Sequence, residues 1–178
     1  MPRVYGNLTN RIEEGKNYNS DKQIHVGDDI TMYWYSDRTC YYVVEVISQK
    51  HIVVAPYQVC ADHSKPGGMG HQNWLYFKTR KEENDYLKKV FPEKDFSNYD
   101  DELRTEHWVF RNNKWKKAYI YTKEDLDTEN MFGQKLRDAY FTERDVKKLE
   151  SGKEVYKYAS LSGKVSFGIR DFYHDWEF

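Results

Sequence analysis

Cysteine is scarce in this chain, with only Cys40 and Cys60 among 178 residues. That rules against a small fold stapled by disulfides, and it suits a reducing compartment, where free Cys behaves as a small buried hydrophobe. No apolar run approaches the ~20 residues of a membrane-spanning helix. The opening Met1-Pro2-Arg3-Val4-Tyr5-Gly6 has no apolar core of a signal peptide, so the expected location is the cytoplasm. Without a secretory route, Asn7-Leu8-Thr9 reads as the start of a helix rather than a glycosylation site.

Charge of one sign is missing too. Twenty-eight Lys and Arg face 29 Asp and Glu, for a net charge of −1. The balance is also local: residues 1–79 hold eight of each sign, and the remainder holds 20 basic and 21 acidic. There is no basic arm and no acidic tail, so the net charge gives no sign of nucleic-acid binding and none of DNA mimicry. A folded surface still gathers charges from distant segments.

Aromatic residues are abundant, at 17 % of the chain with 16 Tyr and 5 Trp. They favour strands, and Tyr and Trp also anchor interfaces, because each buries a large ring while keeping a polar tip. The length predicts a single domain over 1–178, with a β-meander core at about 24–77 and a hairpin and helical extension at about 80–178. Val26-Gly27-Asp28-Asp29 leads into apolar runs at 30–35, 40–47 and 51–60, a meander with Pro56 marking an edge or bulge. Asn73 to Phe77 predicts a further strand. Asn112-Asn113-Lys114 joins 107–111 to 115–121 as a hairpin, since Asn tolerates positive φ. Helices are predicted near 9–14, 80–89 and 143–150, the last opened by a capping box at Thr142-Glu143-Arg144-Asp145 and closed at Gly152. Lys164 to Tyr173 reads as a strand, and the aromatic terminus Trp176-Glu177-Phe178 as docked. The expected fold is α+β: a twisted antiparallel sheet or small SH3-like barrel with an added hairpin, a C-terminal strand and a few short helices.

The chemistry-bearing residues are sparse. Cys60-Ala61-Asp62-His63, with His71 and Cys40, supplies ligand types for zinc, but the spacing matches no zinc knuckle and a core Cys beside a polar loop explains it. No metal and no cofactor is expected. Asp28, Asp29 and Asp37 offer carboxylates for a divalent cation, but the favoured reading has Asp28 ending a turn and Asp29 facing water. His63, Lys65 and His71 surround Gly67-Gly68-Met69-Gly70. Two imidazoles and an amine are the groups for general acid–base work on a phosphodiester. Exposed loops also collect His and Lys simply by being wet, and the stretch lacks the Lys-Ser/Thr of a P-loop. Partner binding through His63, Lys65, Met69 and His71 is the favoured reading of that loop. Trp115, Lys116 and Lys117, with Tyr119 and with Arg80, Lys81, Lys88 and Lys89, form a second candidate, a basic–aromatic surface diluted by Glu82, Glu83 and Asp85.

Several stretches carry a resemblance. They are Tyr5-Gly6-Asn7-Leu8-Thr9-Asn10-Arg11, Tyr35-Ser36-Asp37-Arg38, Cys60-Ala61-Asp62-His63-Ser64-Lys65 with Gly67 to Trp74, and Leu161 to Asp171. Together they resemble a family of small proteins encoded by phages, prophages and mobile elements of Gram-positive bacteria. Residues 80–150 are its least familiar part. More narrowly, the chain is similar to type II-A anti-CRISPR proteins. That resemblance implies a host CRISPR effector nuclease as partner, alone or with its guide RNA, and a role in anti-defence. It brings no catalytic residues to carry over. The rival readings are a small metal-independent nuclease acting on RNA through His63 and His71, and a scavenger that sequesters a signalling nucleotide.

Overall fold

The computed structural model describes residues 23–34, 37–65, 73–96, 103–168 and 170. The strands are β1 (Asp29–Trp34), β2 (Asp37–Ser48), β3 (His51–Pro56), β4 (Gln58–Ala61), β5 (Trp74–Phe77), β6 (Glu106–Arg111), β7 (Lys114–Tyr121), β8 (Val155–Ser160) and β9 (Lys164–Phe167). Helices are α1 (Arg80–Val90), a 3-10 turn at Lys123–Asp127, α2 (Leu136–Ala139) and α3 (Glu143–Glu150). The fold is α+β and mostly antiparallel sheet. Hydrogen bonds order the strands β8-β7-β6-β3-β2-β1-β9 in one sheet and β4-β5 in another. The described residues divide into two compact units, one up to Trp108 together with Leu161 onward, the other Val109–Ser160.

The first unit is built on the meander. β1 and β2 pair from Asp29↔Tyr42 to Trp34↔Asp37, and β2 continues against β3. Ile30, Thr31 and Met32 are all buried, as are Ile52, Val53, Val54 and Ala55. Consecutive burial means both faces of these strands are covered, the pattern of a central strand. On one face Cys40, Tyr42, Ala55 and Tyr57 form a cluster joined by Val44, Val59 and Tyr76. On the other, Tyr41 packs on the fully buried Trp108, ring centres 4.9 Å apart.

Among the described residues the SH3-like barrel does not form, because the sheet stays open from β8 to β9. β3 ends at Pro56, with Tyr57 N–H still donating to Cys40 O at 3.0 Å, and the chain then passes into β4. Among the described residues β4 then pairs only with β5, from Gln58↔Phe77 to Ala61↔Trp74. The outer side of β1 is taken by β9, Ile30↔Phe167 to Tyr33↔Lys164. The third predicted strand, 51–60, is therefore two strands belonging to different sheets. Of the predicted C-terminal strand, 164–167 is present. The predicted helix near 9–14 and the aromatic terminus lie outside the described residues.

The helices follow their local signals. Thr79 caps α1, accepting from the Glu82 N–H at 3.2 Å, while Glu82 reaches back to the Thr79 N–H. Acidic residues occupy the first turn and Lys88 and Lys89 the last, matching the helix dipole. Thr142 and Asp145 make the predicted capping box of α3. Its end is a Schellman motif: Gly152, at φ +78°, donates to Leu149 O, and Lys153 donates to Lys148 O. In this second unit Leu126, Phe141, Leu149 and Val155 form the core, with Tyr121, Leu136 and Val146 against it. Among the described residues, no helix is long and apolar enough to cross a membrane.

Candidate functional site

The loop after β4 begins as a set of short contacts. Asp62 Oδ1 accepts from the Ser64 hydroxyl at 2.6 Å and the Ser64 N–H at 3.1 Å, and Lys65 Nζ lies 3.2 Å from Asp62 Oδ2. The Ser64 hydrogen bond, with Lys65 adding to it, holds the Asp62 carboxyl below its usual range. His63 donates its backbone N–H to the Tyr86 hydroxyl, and its ring meets Phe91 edge-on at 5.0 Å. Thus His63 packs against the end of α1, and Lys65 neutralises Asp62. Met69 and His71, the other members of this candidate site, lie outside the described residues.

Both cysteines are free thiols. Cys40 is fully buried in the core of the large sheet, whereas Cys60 sits on β4. Burial, and then the charges of Glu83 and Asp62, push the Cys60 thiol up to about 11. A thiol held protonated in this way is a poor ligand and a poor nucleophile. The acidic candidates have other partners. Asp28 accepts from the His25 N–H at 2.8 Å, and Asp29 from the Tyr57 hydroxyl at 2.7 Å. Asp29 and Asp37 stand at opposite ends of the β1–β2 hairpin, so their carboxylates do not converge.

The basic–aromatic candidate is divided by its own strand. Successive residues of a strand face opposite sides, so Trp115 and Lys117 share one face of β7 and Lys116 lies on the other. Trp115 packs against Phe110 at a tilt, ring centres 5.5 Å apart, and Lys117 lies over the Tyr119 ring at 5.3 Å. Arg80 and Lys81 are engaged by Glu83 and Asp85 within α1, in the other unit.

What lies beside Lys116 is more telling. β7 and β8 pair as Lys116↔Ser160, Ala118↔Tyr158 and Ile120↔Tyr156, so these six residues share a face. The opposite face carries Tyr121 and Val155 into the core of the unit, and Lys157, whose Nζ lies 2.7 Å from Asp145 Oδ2. The Lys116 face is directed away from that core. On it Tyr156 and Tyr158 stack, ring centres 6.4 Å apart and planes 24° from parallel. They are 36 % and 38 % exposed, and the Arg111 guanidinium lies 4.3 Å from the Tyr158 ring centre. Glu154 accepts from the Tyr156 hydroxyl at 2.9 Å and raises its pKa. The two near-parallel rings thus share one face of the β7–β8 pair with Lys116, with Arg111 over Tyr158 and the Glu154 carboxylate on the Tyr156 hydroxyl.

Sequence reading missed this platform. Its signal was the alternation in Val155-Tyr156-Lys157-Tyr158-Ala159-Ser160, which places both tyrosines on one side of a strand. A second unforeseen pair is His51 and His107, whose ring nitrogens approach to 3.1 Å between β3 and β6. Among the described residues, no three metal-ligating side chains converge. The chain matches no family model, no curated protein and no solved structure.

Proposed function

We propose that this chain is an anti-defence protein of a phage or mobile element, acting in the bacterial cytoplasm by binding the guide-RNA complex of a type II CRISPR effector nuclease and blocking it. The choice of effector rests on the resemblance of the N-terminal, meander and C-terminal segments to such proteins. The observation that supports binding is the Tyr156–Tyr158 stack on β8 beside Arg111. Exposed rings of this kind stack on bases of any sequence, each worth ~1–3 kcal/mol, and the cations meet phosphate. This surface suits the single-stranded parts of a guide RNA held in an effector.

Reconstitution tests it. The chain is mixed with a type II effector nuclease, guide RNA and target DNA, then resolved on a sizing column and a denaturing gel. Co-elution with the loaded effector, uncut target and intact guide are expected, and a Y156A/Y158A variant should inhibit at least tenfold less. Loss of RNA in the absence of effector would point to a nuclease instead. Absence of both co-elution and RNA loss would leave a nucleotide scavenger.

A further inference from the structure

A second surface lies on the segment between the 3-10 turn and α2, and it needs none of the foregoing. Glu129 and Lys135 bridge as antiparallel partners, and Leu136 N–H donates to Thr128 O at 2.8 Å. Inside this neck, Asn130 N–H donates to Gln134 O at 2.9 Å and Gly133 N–H to Asn130 O at 3.0 Å. The Asn130 side chain closes the loop, its Oδ1 accepting from the N–H groups of Phe132 and Gln134 at 2.9 and 3.1 Å. Gly133 supplies the positive φ, +72°. The turn is thus specified by Asn130 and Gly133, and the backbone of Phe132 is all it requires of that residue. Nothing in this geometry needs an apolar side chain at 131 or 132. Yet Met131 is 90 % exposed and Phe132 78 % exposed, at the tip.

We infer that Met131 and Phe132 are a preformed anchor that inserts into an apolar pocket, rimmed by basic residues, on a partner protein. Their convex presentation calls for a concave acceptor. Large apolar side chains are the groups that carry binding energy when buried at an interface, and a loop already held by its own hydrogen bonds loses little freedom on docking. Charge selects the class of partner. Glu124, Asp125, Asp127 and Glu129 precede the tip and outnumber the cations Lys123, Lys135 and Arg137 around it, Lys135 being paired with Asp127 at 3.0 Å. That acidic surround repels phosphate backbones and anionic lipid surfaces and complements a basic rim. A second copy carries a depression lined by Arg144, Lys147, Lys148 and Lys153, so self-association is the rival occupant that the test separates.

The test places a photoreactive benzoylphenylalanine at position 132 of the full chain. It is irradiated in a bacterial extract supplemented with guide-loaded type II effector nuclease, and the adduct is sequenced. The expected adduct is to one protein other than this chain, at an apolar pocket flanked by Lys or Arg. That protein, purified, should bind the parent and lose at least tenfold in affinity for M131S/F132S, whose melting temperature should stay within about two degrees. Adducts confined to a second copy, to nucleic acid or to lipid would overturn the inference, as would no adduct, unchanged affinity, or a variant that unfolds. If the partner proves to be a protein other than the effector, and the effector does not co-elute, the CRISPR reading falls while the anchor stands.

Discussion

The Arg111 guanidinium lies over the ring of Tyr158, 4.3 Å from its centre, joining the hairpin end of β6 to the edge strand β8. The two side chains should therefore act as one binding element. In anisotropy titrations of guide RNA, R111Q and Y158A should each weaken binding, and the double variant should lose less than the sum, a coupling of about 0.5–1 kcal/mol. R111Q should also lower the salt dependence by about one ion, whereas Y158A leaves it unchanged. Additive losses would show that the two side chains act independently, and no loss from either would show that the pair does not contact the RNA.

Gly163 opens β9. A methyl group there would be driven into the backbone carbonyl of Tyr33, at the far end of β1. Backbone cannot swing aside as a side-chain tip does. Gly163→Ala should destabilise by about 1–3 kcal/mol through loss of the β1–β9 edge, read as a lower urea midpoint. An unchanged midpoint would mean that β9 shifts register freely.

Asp145 both caps α3 and holds Lys157. The Lys157 ammonium, then the Thr142 hydroxyl, bring its carboxyl down to about 2. A depressed folded-state value means the contribution is complete above the unfolded value of about 4 and disappears as pH falls toward 2. Thermal melts of the parent should fall more steeply between pH 4 and pH 2 than those of D145N. Parallel curves would refute this.

His51 is shifted the other way from an ion-paired histidine. Burial, and then the neighbouring His107, lower its pKa, against an opposing pull from Glu45. The neutral ring is the one the fold prefers, so its contribution is full above the unfolded value of about 6.5 and is lost on acidification. Parent protein should melt lower at pH 5.5 than at pH 7.5, and His51→Gln should flatten that difference. A parent that is equally stable at both would show that folding leaves the His51 pKa unshifted.

Asn112 and Asn113 hold φ of +53° and +58° at the tip of the β6–β7 hairpin. Asn113→Gly should be neutral or slightly stabilising. Asn113→Val should cost ~1–2 kcal/mol, because a β-branched residue clashes in the left-handed region. Equal stability of the two variants would show the turn adopting another form.

That hairpin was legible from Asn112-Asn113-Lys114, and the α3 capping box from Thr142 and Asp145, which lie within one turn of each other. In both, the groups that stabilise the structure are neighbours along the chain. β8 carried a readable alternation as well, although Val155 to Ser160 gave no hint of which strand it would join. The basic–aromatic surface shows how a composition-based reading goes astray. Trp115, Lys116 and Lys117 look like one patch in a line of text, but a strand turns adjacent side chains to opposite faces.

Other features depend on contacts between distant residues, which no local pattern encodes. The alternating apolar runs of 29–61 determined that a meander would form. Whether it would close into a barrel depended on competition for the outer side of β1, won by β9 more than 120 residues later. In the same way, the types of residue in Tyr156, Tyr158 and Arg111 determined what a platform could bind. Only the β7–β8 register, set by burying Tyr121 and Val155 on the other face, turned the two tyrosines outward. Propensity acts within a few residues and is written in the chain, whereas pairing and facing are settled by whichever long-range burial removes the most apolar surface from water.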